Sequence, residues 1–338
     1  MRKSWMRTKA LIVSVGILGA LLAGCASESK ATGEEDKVLQ YNSAPGSVSF
    51  PELAADLGYL GDVKLESIGT TTGGPEMIQL TATKQTDFGS AFNGAIIKAI
   101  SQGVKIKSVI GSYGSDKHTY IGAYVLEGSP LRTAKDFIGK KVGVNTFGAH
   151  LEFVTKDYLR EGGLSDEEIA QVTLVTVPSA NAEQVLRNNQ TDVVLLSGIA
   201  RDRALENGGI VEIFKDIDVY QKEFTAGDYF FTEDYIQNNP NTVKQFVEGV
   251  AKAIEWERTT PREEVIKRFE SIVEKRDGKN ATVNLKYWKS TGIATEGGVI
   301  APDEHQKWID WLVASGELKE GQVKSENLYT NEFNPYAK

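Results

Sequence analysis

Apolar and polar residues alternate in short runs along much of this chain. VLQYN at residues 38–42 and VKLESI at residues 63–68 carry the two-residue period of half-buried strands. Between them, residues 50–60 read as a short helix, with Ser49 as cap and Pro51 in the first turn. The TTTGGP turn at residues 70–75 opens a further helix, and a short strand is expected near residues 87–89. Residues 106–113, 121–127 and 172–177 are apolar and β-rich, and GKKVGVN at residues 139–145 reads as a turn into a strand. A long amphipathic helix is expected to follow and to end at Gly162 and Gly163. Strands alternating with helices predict an α/β fold with largely parallel sheets. Beyond residue 229 the pattern is mostly helical, with long helices expected over 240–258 and 261–276 and no second run of strands.

One pattern occurs twice. KQTDFGSAFNGAIIKAISQG at residues 84–103 and NQTDVVLLSGIARDRALENG at residues 189–208 share six identities without gaps at an offset of 105. Each copy reads as helix, turn, short strand, loop, helix. Two lobes built on one plan are the expectation.

The amino terminus has a different character. Arg2, Lys3, Arg7 and Lys9 precede ALIVSVGILGALL at residues 10–22, which has no charge. Basic head and short apolar run are the layout of a signal peptide, and 13 residues fall short of the ~18 that span a bilayer. LAGC at residues 22–25 resembles a bacterial lipobox, so residues 1–24 are expected to be a signal peptide and Cys25 a lipidation site. Residues 26–37 are polar and aperiodic, and residues 25–37 are expected to form a lipidated, flexible tether.

Composition narrows the function. The whole chain carries a formal net charge of −8, and loss of the leader's four basic residues would leave the rest more acidic still. Nucleic acid, which needs a positive surface, is disfavoured as a partner. Cys25 is the only cysteine, so stability cannot rest on disulfides. Three scattered histidines give no metal-ligand spacing, and neither a G-x-S-x-G elbow nor a phosphate loop is present. No cofactor is expected. His118 falls in a polar turn near the expected crossing between lobes, His150 in the first turn of a helix, and His305 on an exposed face of the last helix. Trp256, Trp288, Trp308 and Trp311 sit in helical patterns and are expected to pack.

Three stretches carry a family resemblance: residues 74–103, residues 129–164 and VPSANAEQVLRNNQTDVV at residues 177–194. Over residues 38–275 the chain resembles the substrate-binding lipoproteins of ABC importers in the nitrate, sulfonate and taurine group. The resemblance implies a type II periplasmic-binding-protein-like fold: two α/β lobes, each a mostly parallel sheet flanked by helices, with the ligand in the cleft between them. Lobe 1 would comprise residues 38–121 and 229–338, lobe 2 residues 122–228, with hinges near 121–127 and 227–231. It further implies a monomeric, membrane-anchored binding protein, not an enzyme, that serves a permease.

Carried onto this chain, the ligand loops follow the strands. In lobe 1 they hold Ser43, Ala44, Pro45, Ser47, Gly74, Phe92 and Asn93. In lobe 2 they hold Thr146, Phe147, Gly148, Ala149, His150, Asn181 and Ser197, and Asp228 lies where the chain re-crosses. The family's aromatic/acidic pair after the second-lobe strand is replaced by Ser197 and Gly198, which leaves the ligand open. These loops lack lysine and arginine. Several open helices, whose free N–H groups hold anions without a cationic side chain. An anionic solute is therefore expected, with a thiamine pyrimidine precursor, another neutral heterocycle or an enzyme on the same fold as alternatives. Thiamine pyrimidine synthase relatives carry a cysteine-rich iron motif that is absent here.

Overall fold

The computed structural model describes residues 34–71 and 73–338. Cys25, the expected leader and most of the expected tether lie outside the described residues, as does Thr72. In chain order the elements are β1 (Val38–Ser43), α1 (Phe50–Asp56), β2 (Lys64–Thr70), α2 (Gly74–Ala82), β3 (Phe88–Phe92), α3 (Asn93–Ser101), β4 (Ile106–Ser115) and β5 (Ile121–Leu126). Next come β6 (Lys141–Val144), α4 (His150–Glu161), α5 (Asp166–Ile169), β7 (Thr173–Thr176), α6 (Ala182–Arg187), β8 (Val193–Ser197), α7 (Gly198–Glu206) and β9 (Ile210–Lys215). The chain closes with α8 (Asp216–Val219), β10 (Phe224–Thr232), α9 (Glu233–Asn238), α10 (Pro240–Thr259), α11 (Arg262–Asp277) and α12 (Pro302–Ala314).

The strands divide between two lobes. Lobe 1 holds the parallel pair β1–β2 and the sheet β3–β10–β4, and lobe 2 holds the sheet β7–β6–β8–β5–β9. β10 runs antiparallel to both its neighbours, and so does β5. Each is the first strand after the chain changes lobe, so it enters its sheet from the opposite end. The crossings lie at residues 116–120 and 220–223, because β5 and β10 sit wholly inside their sheets. Both precede the expected hinge segments, and residues 224–228 belong to the first-lobe sheet. The Lys117 N–H donates to Glu223 Oε1 at 3.1 Å, tying one crossing to the other.

Burial explains the layering. β10 is buried along its whole length, and with Phe88, Val109 and Ile110 it packs against the apolar stripe of α10, including Val243, Phe246 and Val250. On its other face Phe230 joins Ile96, Ile309 and Leu312, so α3 and α12 cover that side. Lobe 2 has its own core around Val125, Phe137, Val154 and Leu195.

Residues 35–37, expected in the tether, are seated in the fold. Glu35 Oε2 accepts the Thr242 N–H at 2.7 Å at the start of α10, where a carboxylate meets the positive end of the helix dipole. His305 is also corrected: it is fully buried, with Nε2 2.7 Å from Asp228 Oδ2.

The repeated sequence is a repeated structure. Asp87 and the β1 residue Gln40 exchange two bonds: Gln40 N–H to Asp87 Oδ2 at 2.6 Å, and Asp87 N–H to the Gln40 carbonyl at 2.9 Å. Asp192 and Lys141 of β6 do the same in lobe 2, at 2.8 and 2.9 Å. Lys84 and Asn189 turn the chain at the same place with φ of 58° and 55°.

Candidate ligand-binding site

A cavity of about 620 Å³ lies between the lobes. Lobe 1 lines it with Pro45, Gly46 and Ser47 after β1, Gly74 at the start of α2, Ser90–Phe92 of β3 and Tyr113–Ser115 of β4. Lobe 2 contributes residues 119–121, Asn145, residues 149–151, Ser179, Ala180, residues 197–200 and Arg203. Ala281, Asn284, Leu285, Trp288, Ser290 and Thr291, beyond α11, complete the wall.

Four helices begin at this cavity, two from each lobe. Their N-cap residues are Gly73 for α2, Phe92 for α3, Ala149 for α4 and Ser197 for α7, and none makes a side-chain cap bond. The first-turn N–H groups of α2, α4 and α7, whose first residues line the cavity, thus keep their partial positive charge for a ligand, whereas α3 meets the cavity only through its cap Phe92. One donor is already taken, since the Gly148 N–H gives its hydrogen to Glu152 Oε2 at 2.7 Å. The β1–α1 loop is held from behind by Arg276, whose guanidinium donates to the carbonyls of Ala44 at 3.0 Å and Ser47 at 2.8 Å.

His150 has a distinct setting. It is 3 % exposed, stacks on Phe92 with ring centroids 4.7 Å apart, and neither ring nitrogen has a hydrogen-bond partner among the described residues. Burial, reinforced by the positive charge of Lys307, pulls its pKa down to about 3, so the imidazole is neutral at physiological pH. It offers one donor and one acceptor. Asp216 Oδ2 stands 4.0 Å from Nε2, beyond hydrogen-bond length, and instead accepts the Ser115 hydroxyl at 2.5 Å. Ser115 therefore gives its proton to a carboxylate rather than to the imidazole, which is not the arrangement of a nucleophile and its base.

Of the residues expected at the site, Pro45, Ser47, Gly74, Phe92, Ala149, His150 and Ser197 line the cavity. The others do not. Ser43 is buried, its Oγ bonded to Ser67, and the Ala44 carbonyl is engaged by Arg276. Asn93 is fully buried with both amide atoms unpartnered. Thr146 faces lobe 1 across the cleft, where a methyl group on Gly73 would lie 3.0 Å from its Cγ2. Phe147 is 53 % exposed, Gly148 is occupied with Glu152, and Asn181 is exposed beside Ser179 and Ala180. Asp228 is fully buried and paired with His305, and it does not line the cavity.

Sequence reasoning missed Arg203, Trp288 and the whole segment beyond α11. Arg203 lines the cavity with its Nε 3.4 Å from Glu183 Oε2. Trp288 lies in irregular chain, not in a helix. A basic residue and a tryptophan that each read as part of a helical pattern carry no signal for a cleft.

Two α/β lobes, a double crossing and a cleft lined by strand-to-helix loops define a type II periplasmic binding protein fold. The family model described as NMT1/THI5 like matches residues 53–264, well over half of the chain, and the chain belongs to that family. Among solved structures, it is similar to the alkanesulfonate-binding protein SsuA from Xanthomonas axonopodis pv. citri bound to MOPS, at 18% identity and a TM-score of 0.67, covering 88% of this chain and 99% of that one. The periplasmic nitrate-binding protein NrtA from Synechocystis PCC 6803 gives 12% identity and a TM-score of 0.67, over 88% and 87% of the two chains. The desulfurization enzyme DSZB gives 15% identity and a TM-score of 0.59, over 88% and 97%. A comparison with curated protein sequences finds no match.

Proposed function

We propose that this chain is an extracytoplasmic solute-binding protein that captures a small anionic solute, of the sulfonate, taurine or nitrate type, and delivers it to the permease of an ABC importer. One observation carries the reading: four helix N-termini without side-chain caps, two from each lobe, converge on one cavity. Arg203 adds a cationic side chain. Binding proteins for an alkanesulfonate and for nitrate share the fold. In this reading the protein acts as a monomer, Cys25 carries the lipid that holds it at the membrane, and the lobes close by bending at residues 116–120 and 220–223.

A second reading takes a neutral heterocycle, in keeping with the NMT1/THI5-like family. The neutral His150 beside Phe92 favours it, because an imidazole with one free donor and one free acceptor matches a ring that carries both. A thermal-shift panel of alkanesulfonates, taurine, nitrate and aminopyrimidines decides between them. A ligand at a hundred times its Kd stabilises by about 2.7 kcal/mol. Stabilisation by an anion and not by the pyrimidines is expected, and the converse overturns the anion reading. Incubation of the stabilising ligand with the protein should leave it chemically unchanged, and turnover would move the protein to the enzymes of this fold.

A further inference from the structure

The segment at residues 278–300 crosses from the end of α11 to the start of α12 with only short 3-10 turns. It lies outside the region matched by the family model, which ends at residue 264. Its backbone is held by side chains of two helices. Glu257 of α10 accepts the Thr291 N–H and hydroxyl at 3.2 and 2.7 Å. Arg258 donates to the carbonyls of Ile293 and Thr295, and Arg262 of α11 to that of Trp288 at 2.7 Å. Gly292, with φ of 75°, lies flat against Gly114 of β4, where an added methyl group would stand 2.4 Å from the Gly114 carbonyl oxygen. On the lobe 2 side, Lys289 pairs with Asp202 of α7 at 3.0 Å. The segment is a strap, fixed on lobe 1 and touching lobe 2.

The strap gives the cavity an apolar end. Leu285 and Phe269 belong to the buried core of lobe 1, and Val48, Ile199, Ala281 and Trp288 pack against that same core. All six line the cavity. Trp288 is braced edge-on by Phe269, ring centroids 5.2 Å apart. The volume of about 620 Å³ sits within the ~300–1,000 Å³ of pockets that take drug-sized organic molecules, where nitrate would fill only a small part.

We infer that the strap is the specificity wall of the site and that the ligand is an organic molecule with an extended apolar or aromatic body. That body lies against Trp288 and Leu285, with the polar head at the helix N-termini. The charge of the head rests on the reading above, whereas the wall does not. A rigid aromatic side chain offers a large apolar surface at little entropic loss, so body length rather than head chemistry sets the ranking among ligands.

Calorimetry on the full chain tests this with methanesulfonate, 2-phenylethanesulfonate and the uncharged N-methyl-2-phenylethanesulfonamide. The phenyl sulfonate should bind at least about tenfold more tightly than methanesulfonate, as the burial of roughly two to three methylene equivalents would give. Trp288→Ala should erase most of that advantage and leave methanesulfonate nearly unchanged, and Trp288→Phe should restore much of it. If the sulfonamide binds as well as the sulfonate with the same dependence on Trp288, the anionic head is wrong and the wall stands. A phenyl body that brings no gain, a gain undiminished in Trp288→Ala, or no binding by any of the three overturns the inference.

Discussion

The two copies of the repeated unit share a scaffold and differ at the cleft. In both, an aspartate clamps the neighbouring strand through the same pair of backbone bonds. At the equivalent cleft positions, the first copy has Phe92 and Asn93, both buried, and the second has Ser197, exposed, and Gly198. What covers them differs too. α3 lies under α12 through Trp308, Ile309 and Leu312, whereas α7 meets the strap. The comparison teaches that the repeat preserves what holds a lobe together, and that the residues beside the cavity are free to diverge because the backbone bonds do not depend on them.

The largest expected effect separates the two N-caps. Phe92→Ala removes a ring that stacks on His150 and meets Phe153 and Trp308 edge-on, and should lower stability by about 3–5 kcal/mol. Ser197→Ala, at a cap without a side-chain bond, should lower it by less than about 0.5 kcal/mol. Denaturant unfolding of both variants checks this, and equal losses would break the division between core copy and cleft copy.

A charge at the exposed cap probes the ligand. Ser197→Asp should weaken an anion by about 3 kcal/mol, the repulsion at ~5 Å and an effective dielectric of ~20, which is more than about a hundredfold in Kd. Ser197→Asn, similar in size and also a good cap, should weaken it far less. Equal losses in the two variants would mean that the effect is steric.

The scaffold is sharpened by treating both copies alike. Asp87→Ala and Asp192→Ala each remove a hydrogen bond to a solvent-exposed backbone N–H and should each lower stability by about 0.5–1.5 kcal/mol, leaving ligand affinity near that of the unaltered chain. Unequal losses would show that the shared clamp is not shared energetically.

A pH-dependent effect concerns the helix that covers only the first copy. Lys307 of α12 is held 3.1 Å from the ring centre of Tyr220, without a hydrogen-bond partner among the described residues. Burial pulls its pKa from 10.5 down to about 7, against the opposing pull of Asp157, Asp216 and Glu161. Between those two values the unfolded chain holds a proton that the folded chain has lost. Stability from this group therefore rises as pH rises through that window, by at most about 1.4 kcal/mol per pH unit. Lys307→Met should be more stable at pH 7 and should flatten the rise in Tm towards pH 10. A parallel pH profile in the variant would remove Lys307 as its source.

The strand and helix order was legible because each element carries its own period. VKLESI alternates, and the stripe at residues 240–258 has helical spacing, so both can be read from neighbours in sequence. The repeat was legible for a related reason: Gln85, Thr86 and Asp87 and their counterparts 105 residues on form one local turn. Seven of the expected site residues line the cavity because ligand loops follow strands in this architecture. The misplaced ones fail on orientation. Asn93 and Asp228 sit at the right places along the chain, but both side chains are buried in the protein: Asn93 at the first turn of α3, and Asp228 on β10, where a shift of one position exchanges the faces of a strand.

The sequence by itself determined the α/β alternation, the doubled unit and the helical tail, since these follow from patterns within some twenty residues. Only the tertiary structure decided which surfaces line the cavity. Arg203 and Trp288 meet at the cavity although 85 residues apart, and the strap that carries Trp288 forms only short 3-10 turns where the sequence reads as helical. Its carbonyls are bonded mainly by Arg258 and Arg262, and a strand reaches it through the Gly114 N–H of β4, which donates to the Thr291 carbonyl at 2.9 Å. A backbone stabilised by side chains from other elements leaves no local pattern, so its place over the cleft is set by packing and not by the order of its residues.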